Sequence, residues 1–308
     1  MKRVRLFPLI ICALTAIVGC GLTIGTGSRP DRILIDHTKR DLSLVPESAI
    51  ELAKETLYIA YDHTSHGSQL KTGMDALMAY PAFDGLYSWG YDDSKESLSL
   101  IAGGTGGPVP DLSQGDWVDD NGDTPWVVQT RALLNNPENS NINVVMFSWC
   151  SINGHDAQRY VDNMEKLIAE YPDIVFIFMT GHAEGDSENL AVNSVHYNNE
   201  LIREHCEENE RHLYDFADIE AYNPNGVYYW DRGMRDNLDY DRGNWAVEWI
   251  AANSSSELAK LTTGDGVAAY DGCQGTAHSD SPQEANLNGV LKGMAAWSLW
   301  ASIAVMLD

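Results

Sequence analysis

The sequence predicts an α/β protein, a three-layer α/β/α sandwich built on a mostly parallel, flavodoxin-like sheet. From about residue 45 onward, strand-like and helix-like segments alternate along the 308-residue chain. Two of the strands, "NVVMF" (143–147) and "IVFIFM" (174–179), are nearly continuous apolar runs. Such runs are typical of parallel strands that helices cover on both faces. In a sheet of this kind, ligands bind beyond the carboxyl ends of the strands.

The predicted elements follow one another in a regular order up to a long C-terminal helix. The helix at 68–80 illustrates the pattern, because Leu70, Met74 and Leu77 recur at helical spacing. Two stretches, 81–125 and 221–275, have no clear period and are predicted as irregular insertions. Strands are predicted at 56–61, 142–149, 173–180 and 212–219, and helices at 49–55, 68–80, 126–136, 157–171, 188–209 and 284–307.

The first 44 residues are predicted to lie outside the folded domain. Residues 1–19 combine a basic start with an apolar run too short to span a bilayer, as a signal peptide does. The run ends in "IVGC", which predicts lipidation at Cys20, and residues 20–44 are predicted as a tether. We therefore expect a bacterial cell-envelope protein, lipid-anchored and facing the periplasm or the exterior. An ordinary cleaved secretory signal is the alternative.

The charge of the chain excludes one class of partner. The sequence holds 20 basic and 45 acidic residues, a net charge of −25. A surface this negative repels phosphate backbones, so no nucleic-acid partner is expected. Among the cysteines, Cys206 and Cys273 are the predicted pair if a disulfide forms, because Cys150 follows a strand that we expect to be buried.

Histidines and small polar residues follow the predicted strands. "HTSHG" (63–67) comes after the first strand, "CSINGH" (150–155) after the second and "GHAEG" (181–185) after the third. Ser65 stands between a strand and a helix, where a hydroxyl is exposed and a backbone N–H can stabilise an oxyanion. The alternative role for a serine here is a helix N-cap, for which Ser68 is the better candidate.

A metal site at these strand ends is a weaker alternative. His63, His66 and His182 are the residues that would form it. No carboxylate at close spacing completes the set, so neither a metal nor any other cofactor is expected.

The order of these features resembles the SGNH (GDSL-like) hydrolase superfamily. It is most similar to a bacterial exported branch with an "HQSVG"-like serine block, a "DFADIE" segment and an ending of the form "AHS…LN…KG…AAW.LWA". This chain has "HTSHG", "FSWCSI", "MTGHAEG", "YDFADIE", "GNWAVEW" and "TAHSDSPQEANLNGVLKGMAAWSLWASIA". The resemblance covers roughly residues 55–305, and its specificity comes from the order of the blocks and the long C-terminal match.

The resemblance implies a serine esterase site. It makes Ser65 the nucleophile and its backbone N–H one oxyanion donor, with a glycine such as Gly104 as a second donor. It makes His278 the general base. Asp280 is the first candidate for the acid that orients His278, and Asp271, Asp218 or a backbone carbonyl are the alternatives.

This chain departs from the pattern of the superfamily in two places. Cys150 stands where the superfamily has its oxyanion asparagine, so Asn153 or His182 would have to supply that donor. Losing such a donor typically costs about 10²–10³ in rate. Gly275 stands where the Asp-x-x-His block has its acid. His63, His66, Cys150 and His182 are expected to contact substrate or to support the residues that do.

The composition of the insertion at 221–275 indicates a class of substrate. Its aromatic residues, Trp230 among them, stand beside many carboxylates and amides, a composition that suits sugars. The other interpretation is a small second core under a long loop. We therefore expect an esterase that acts on a small-molecule or glycan ester, with O-acyl groups on a glycan favoured. The alternative is a catalytically impaired, carbohydrate-binding surface lipoprotein.

Overall fold

The protein is a three-layer α/β/α sandwich around a seven-stranded, all-parallel sheet. A computed structural model of the chain describes residues 32–91, 94–103, 109–110, 112, 115–185, 189–263 and 282–308. Within these residues the strand order is β1-β7-β6-β5-β2-β4-β3, and each pair runs parallel. The predicted fold class is confirmed.

The elements alternate as predicted over most of the chain. The strands are β1 (Leu34–Ile35), β2 (Tyr58–Asp62), β3 (Trp89–Gly90), β4 (Leu98–Ala102), β5 (Val144–Phe147), β6 (Val175–Met179) and β7 (Leu213–Tyr214), followed by a small hairpin, β8 (Asp239–Tyr240) and β9 (Gly243–Asn244). The helices are α1 (Glu47–Thr56), α2 (Ser68–Ala79), α3 (Pro125–Leu134), α4 (Ala157–Glu170), α5 (Val195–Glu208), α6 (Phe216–Ala221), α7 (Trp245–Ala252), α8 (Glu257–Thr263) and α9 (Pro282–Leu307).

The sheet has a hydrophobic core on each face. On one face, side chains of α1, α2 and α9 pack against alternate strand residues such as Ile59 and Met146. On the other face, α3, α4 and α5 pack against the intervening residues, such as Val145 and Phe147. The strands are apolar throughout because both sets of side chains are buried.

Helices α2 and α9 cross at backbone contact. A Cβ atom added to Gly73 would lie 1.8 Å from the carbonyl oxygen of Gly289, and one added to Gly293 would lie 2.2 Å from the carbonyl carbon of Gly73. Only glycine allows this approach. By length and composition alone, Leu287–Leu307 could cross a membrane, but 72% of its apolar window is buried inside the domain, so core packing explains its composition.

Three local predictions were wrong. The tether does not extend to residue 44, because Leu34–Ile35 pairs with β7 and Arg40 is buried. The segment 212–219 is not one strand: it turns at Asp215, whose carboxylate caps α6. The stretch 81–125 contains β4, which pairs with β2 inside the sheet. Strand β4 lies next to glycine-rich and polar sequence, which hid its short apolar run.

The insertion after β7 packs its aromatic residues into the hydrophobic core on the second face of the sheet, and does not form a separate small core. Trp230, Trp245 and Trp249 are buried, and Tyr229 packs beside them. The insertion also contains an exposed aromatic residue, Tyr228, at 38%. The expectation that Trp230 contacts substrate is therefore wrong, because its indole ring is part of the core.

Candidate functional site

The candidate site lies at the carboxyl edge of the sheet, at the point where the order of the strands reverses. Strands β2 and β5 pair side by side, and the chain leaves β2 toward one half of the sheet and β5 toward the other. The loops after these strands diverge and leave a crevice, which is the usual ligand position in an open parallel sheet. A cleft of about 570 Å³ lies here. It is lined by Ser65, His66, Cys150, Ser151, His182, Glu184, Arg235 and Asp236.

Ser65 occupies a strained turn between β2 and α2. Its backbone has φ of +42°, a left-handed conformation that is unfavourable for a residue with a Cβ atom. The turn is held by the Tyr61 hydroxyl, which donates to the carbonyl of Gly67 at 2.7 Å. Gly67 must be glycine, since a Cβ atom there would lie 1.9 Å from Ser148 Oγ. The turn leaves the Ser65 side chain exposed at the cleft.

Ser68 is not the helix cap that the sequence suggested. Helix α2 begins at Ser68 itself, after the single 3₁₀ turn Ser65–Gly67. The Ser68 hydroxyl donates to the carbonyl of Ser65 at 2.7 Å instead of accepting from a helix N–H. The two serines therefore have separate roles, because Ser68 braces the turn and Ser65 faces the cleft.

His66 is buried and faces an acceptor on each side of its ring. Its Nδ1 lies 2.9 Å from the carbonyl oxygen of Cys150, and its Nε2 lies 2.9 Å from Asp236 Oδ2. Ser65 Oγ is farther from the same Nδ1, at 3.4 Å. A ring whose Nδ1 donates to a carbonyl has no lone pair there to take the Ser65 proton. In this geometry His66 orients the cleft and does not serve as the base of Ser65.

His182 lies directly against His66. The two imidazole rings stack with centroids 3.6 Å apart and planes inclined by 22°. His182 Nδ1 lies 2.9 Å from the carbonyl oxygen of Ala183, which makes Nδ1 the protonated nitrogen of the neutral ring. Its Nε2 is buried, lies 3.6 Å from Glu184 Oε1 and has no hydrogen-bond partner in the part of the chain that the structure describes. Burial, and then the neighbouring His66, hold the pKa of His182 below its usual range.

The carboxylates of the cleft come from two different loops. Glu184, after β6, accepts hydrogen bonds from the Ser151 hydroxyl and from Asn153 Nδ2 at 3.0 Å. The same loop pairs with the insertion, where the Gly185 N–H donates to the carbonyl of Met234 at 2.9 Å. This pairing fixes the chain two residues before Asp236 and so brings its carboxylate over His66.

A buried ion pair supports the cleft from below. Lys292 of α9 lies 2.6 Å from Glu220 Oε2, and both side chains are fully buried. The Lys292 ammonium also donates to the amide oxygen of Gln69, and Glu220 Oε1 accepts from the Ala183 N–H at 2.6 Å. Glu220 therefore fixes the backbone beside His182, and Gln69 fixes the start of the helix that follows Ser65.

The structure brings together part of the predicted site. Ser65, His66, Cys150 and His182 line one cleft, as expected of strand ends on one edge. Four other predicted residues do not line this cleft: Asn153 is exposed and bonded to Glu184, His63 lies beside Tyr61, Trp230 is in the core, and Asp218 pairs with His37. The predicted residues Cys20, Gly104, Asp271, Cys273, Gly275, His278 and Asp280 lie outside the described residues.

Two acids of the cleft were missed by the sequence interpretation. Asp236 lies 170 positions from its partner His66, inside a stretch without periodicity. Glu184 stands in the quoted block "GHAEG", two residues from His182, and that spacing was a usable signal. Cys206, part of the predicted disulfide, is fully buried on α5, and burial raises the pKa of its thiol to about 12.

Comparison of the chain with protein-family models, with curated proteins and with solved structures finds no significant match.

Proposed function

We propose that this protein is a serine hydrolase that cleaves an ester, with Ser65 as the nucleophile. The observation that supports the proposal is the Ser65 turn. Its backbone is left-handed and its hydroxyl is exposed between β2 and α2, where the strand order of the parallel sheet reverses. A strained strand-to-helix turn of this kind presents a serine to substrate and leaves its backbone N–H at the start of a helical segment.

His278 is the proposed general base, as the resemblance implies. His66 does not compete for this role, since its ring nitrogens face Cys150 and Asp236. His278 comes four residues before α9 begins at Pro282. The first turns of α9 are fixed close to the Ser65 turn, because Asn288 Nδ2 lies 3.3 Å from the amide oxygen of Gln69. The helix that follows His278 in the sequence therefore packs beside the helix that follows Ser65, which supports the proposed pairing.

The proposed reaction follows the usual two steps. Ser65 Oγ attacks the ester carbonyl while the base takes its proton, and the alcohol leaves after receiving that proton. Water then attacks the acyl-enzyme, and Ser65 is released with the carboxylic acid. The Ser65 N–H would stabilise the oxyanion.

The alcohol part of the ester is proposed to be a glycan. A polar groove of about 440 Å³ adjoins the cleft and shares Arg235 with it. Its lining of glycines, carboxylates and Tyr240 suits hydroxyl groups. The buried tryptophans of the insertion do not add to this argument, so the groove alone supports a sugar.

Replacement of Ser65 by alanine tests the proposal. We expect wild-type protein to hydrolyse members of a p-nitrophenyl ester panel and an O-acetylated polysaccharide, and Ser65→Ala to lose at least about 10³-fold in kcat. Ser140→Ala is the matched control, because Ser140 is exposed on a distant turn. Equal activity in wild type and Ser65→Ala would exclude the assignment. A glycan-binding wild type without esterase activity would favour the carbohydrate-binding alternative.

Export and lipid anchoring at Cys20 remain part of the proposal. A diacylated cysteine supplies the two chains that stable membrane attachment needs. Cys20→Ser is expected to move the protein from the membrane fraction to the soluble fraction of the producing cell. An unchanged distribution would contradict the anchor.

A further inference from the structure

The cleft contains a histidine and carboxylate cluster that the serine mechanism does not use. One ligand atom from each of His66, His182 and Asp236 lies within 4.8 Å of the others. The two histidines are buried and come from the loops after β2 and β6. Asp236 comes from the insertion, and its side chain is 17% exposed. The cluster is thus assembled from three distant parts of the chain.

The hydrogen bonds of both histidines select the same ring nitrogen. The carbonyl of Cys150 accepts from Nδ1 of His66, and the carbonyl of Ala183 accepts from Nδ1 of His182. When the ring is neutral, a carbonyl that accepts from Nδ1 leaves the lone pair on Nε2, and such a carbonyl is the usual support of a metal-binding histidine. Each Nε2 lies beside a carboxylate, at 2.9 Å from Asp236 for His66 and at 3.6 Å from Glu184 for His182.

His182 gives the second, independent indication of a ligand. His182 is one of the residues that line the cleft, and its Nε2 is buried with no hydrogen-bond partner among the described residues. Leaving a buried polar atom unpaired costs about 1–3 kcal/mol. A ligand that accepts a lone pair removes this cost, and a cation also satisfies the neighbouring carboxylates.

We propose that His66 Nε2, His182 Nε2 and the Asp236 carboxylate bind one divalent transition-metal ion of the zinc class. Two imidazoles and one carboxylate are a common ligand set for Zn²⁺, and donor atoms around such an ion lie roughly 3.2–3.5 Å apart. The cleft leaves further coordination positions open. Glu184, held by Ser151 and Asn153, is the nearest additional carboxylate.

This inference does not rest on the role of Ser65. The Ser65 hydroxyl is not among the proposed ligands, so a result that contradicts metal binding would leave the proposed role of Ser65 untouched, and the reverse. A metal here also changes the expectation from the sequence, in which no carboxylate stood close enough to complete the site. Asp236 supplies that carboxylate through the fold.

Metal titration of the full chain tests the site. Protein stripped with a chelator is titrated with Zn²⁺ by calorimetry and with Co²⁺ by visible absorption, which reports ligand type directly. We expect one ion per chain. His182→Ala and Asp236→Asn should each weaken Zn²⁺ binding by more than about 10-fold, since even residues that only support ligands cost about 10–100-fold.

Two matched variants control for the loss of a histidine or an acid. His196→Ala removes a histidine of α5 that does not line the cleft, and Asp231→Asn removes an exposed acid of the same insertion. Both should bind Zn²⁺ as the wild type does. Because Asp236 is partly exposed, its variant decides the question if His182→Ala does not fold. Stoichiometric binding that is equal in all variants, or no binding by the wild type, would overturn the proposal.

Discussion

Two groups of polar residues at the site have opposite environments. One is the buried ion pair behind the cleft, Lys292 and Glu220, which we call the floor; the other is in the cleft lining, Ser65 and His182, which we call the wall. In the floor, Lys292 and Glu220 are fully buried, and each has further partners. In the wall, Ser65 is strained and exposed, and His182 has a buried nitrogen that no described residue pairs with. A satisfied polar network stabilises and fixes a structure, whereas strain and unpaired atoms are retained where chemistry occurs. Substitutions should therefore cost stability in the floor and function in the wall.

The largest effect on stability is expected at the buried ion pair. Lys292→Met removes the cation and leaves the Glu220 carboxylate buried, which should lower the free energy of unfolding by about 3–5 kcal/mol. The double variant Lys292→Met/Glu220→Gln removes both charges and keeps an acceptor for Ala183. Denaturant unfolding should show that it recovers most of the loss. A double variant as unstable as the single one would contradict this account of the floor.

The next largest effect on stability is expected where α9, the helix that contains Lys292, crosses α2. Gly73→Ala places a Cβ atom in the backbone of α9, so we expect a loss of about 2–3 kcal/mol in unfolding free energy. Gly90→Ala is the control, since no atom lies within 4 Å of the added Cβ atom. Thermal unfolding should separate the two variants clearly. Similar melting temperatures would mean that the crossing tolerates a wider spacing.

A partly exposed ion pair should contribute less to stability than the floor does. Arg131 lies 2.5 Å from Asp123 and is partly exposed, and its hydrogen bond to the carboxylate lowers the pKa of Asp123. Asp123→Asn should cost about 1 kcal/mol at pH 7. A lowered carboxyl pKa stabilises the fold above the unfolded value of about 3.9 and ceases to do so as the pH falls further. The stabilities of wild type and variant should therefore begin to converge as the pH falls toward about 3.9 and continue to converge below it; a constant gap would contradict the ion pair.

The smallest effect on stability is expected in the wall. Ser65→Gly relieves the left-handed strain at the expense of chain entropy, and we expect a net gain of roughly 0.5 kcal/mol. Ser65→Ala keeps the strain and should match the wild type in unfolding free energy. Both variants should lose ester hydrolysis. A large loss of stability in either variant would mean that Ser65 supports the fold and would remove the contrast between floor and wall.

The sequence predicted the sheet and the strand-end loops because both depend on local patterns. Apolar runs located β5 and β6, and the parallel arrangement then placed Ser65, His66 and His182 on one edge. Strand β4 and helix α6 were missed, because short elements carry few residues of periodic signal. Residues 34–44 were assigned to the tether for the same reason.

The partners of the site were harder to predict because tertiary contacts select them. Asp236 reaches His66 only through the pairing of the insertion with the loop after β6. The Lys292–Glu220 pair joins α9 to α6 across 72 positions of sequence, so no local pattern encodes it. The aromatic residues of the insertion looked like a sugar platform in composition, but their burial makes Trp230 and its neighbours a core.

The most direct test of the central claim is to locate the covalent adduct of a fluorophosphonate probe by peptide mass spectrometry. We expect one adduct per chain, on Ser65, and no adduct in Ser65→Ala protein. An unlabelled wild type, or an adduct on any other residue, would contradict the assignment of Ser65 as the nucleophile.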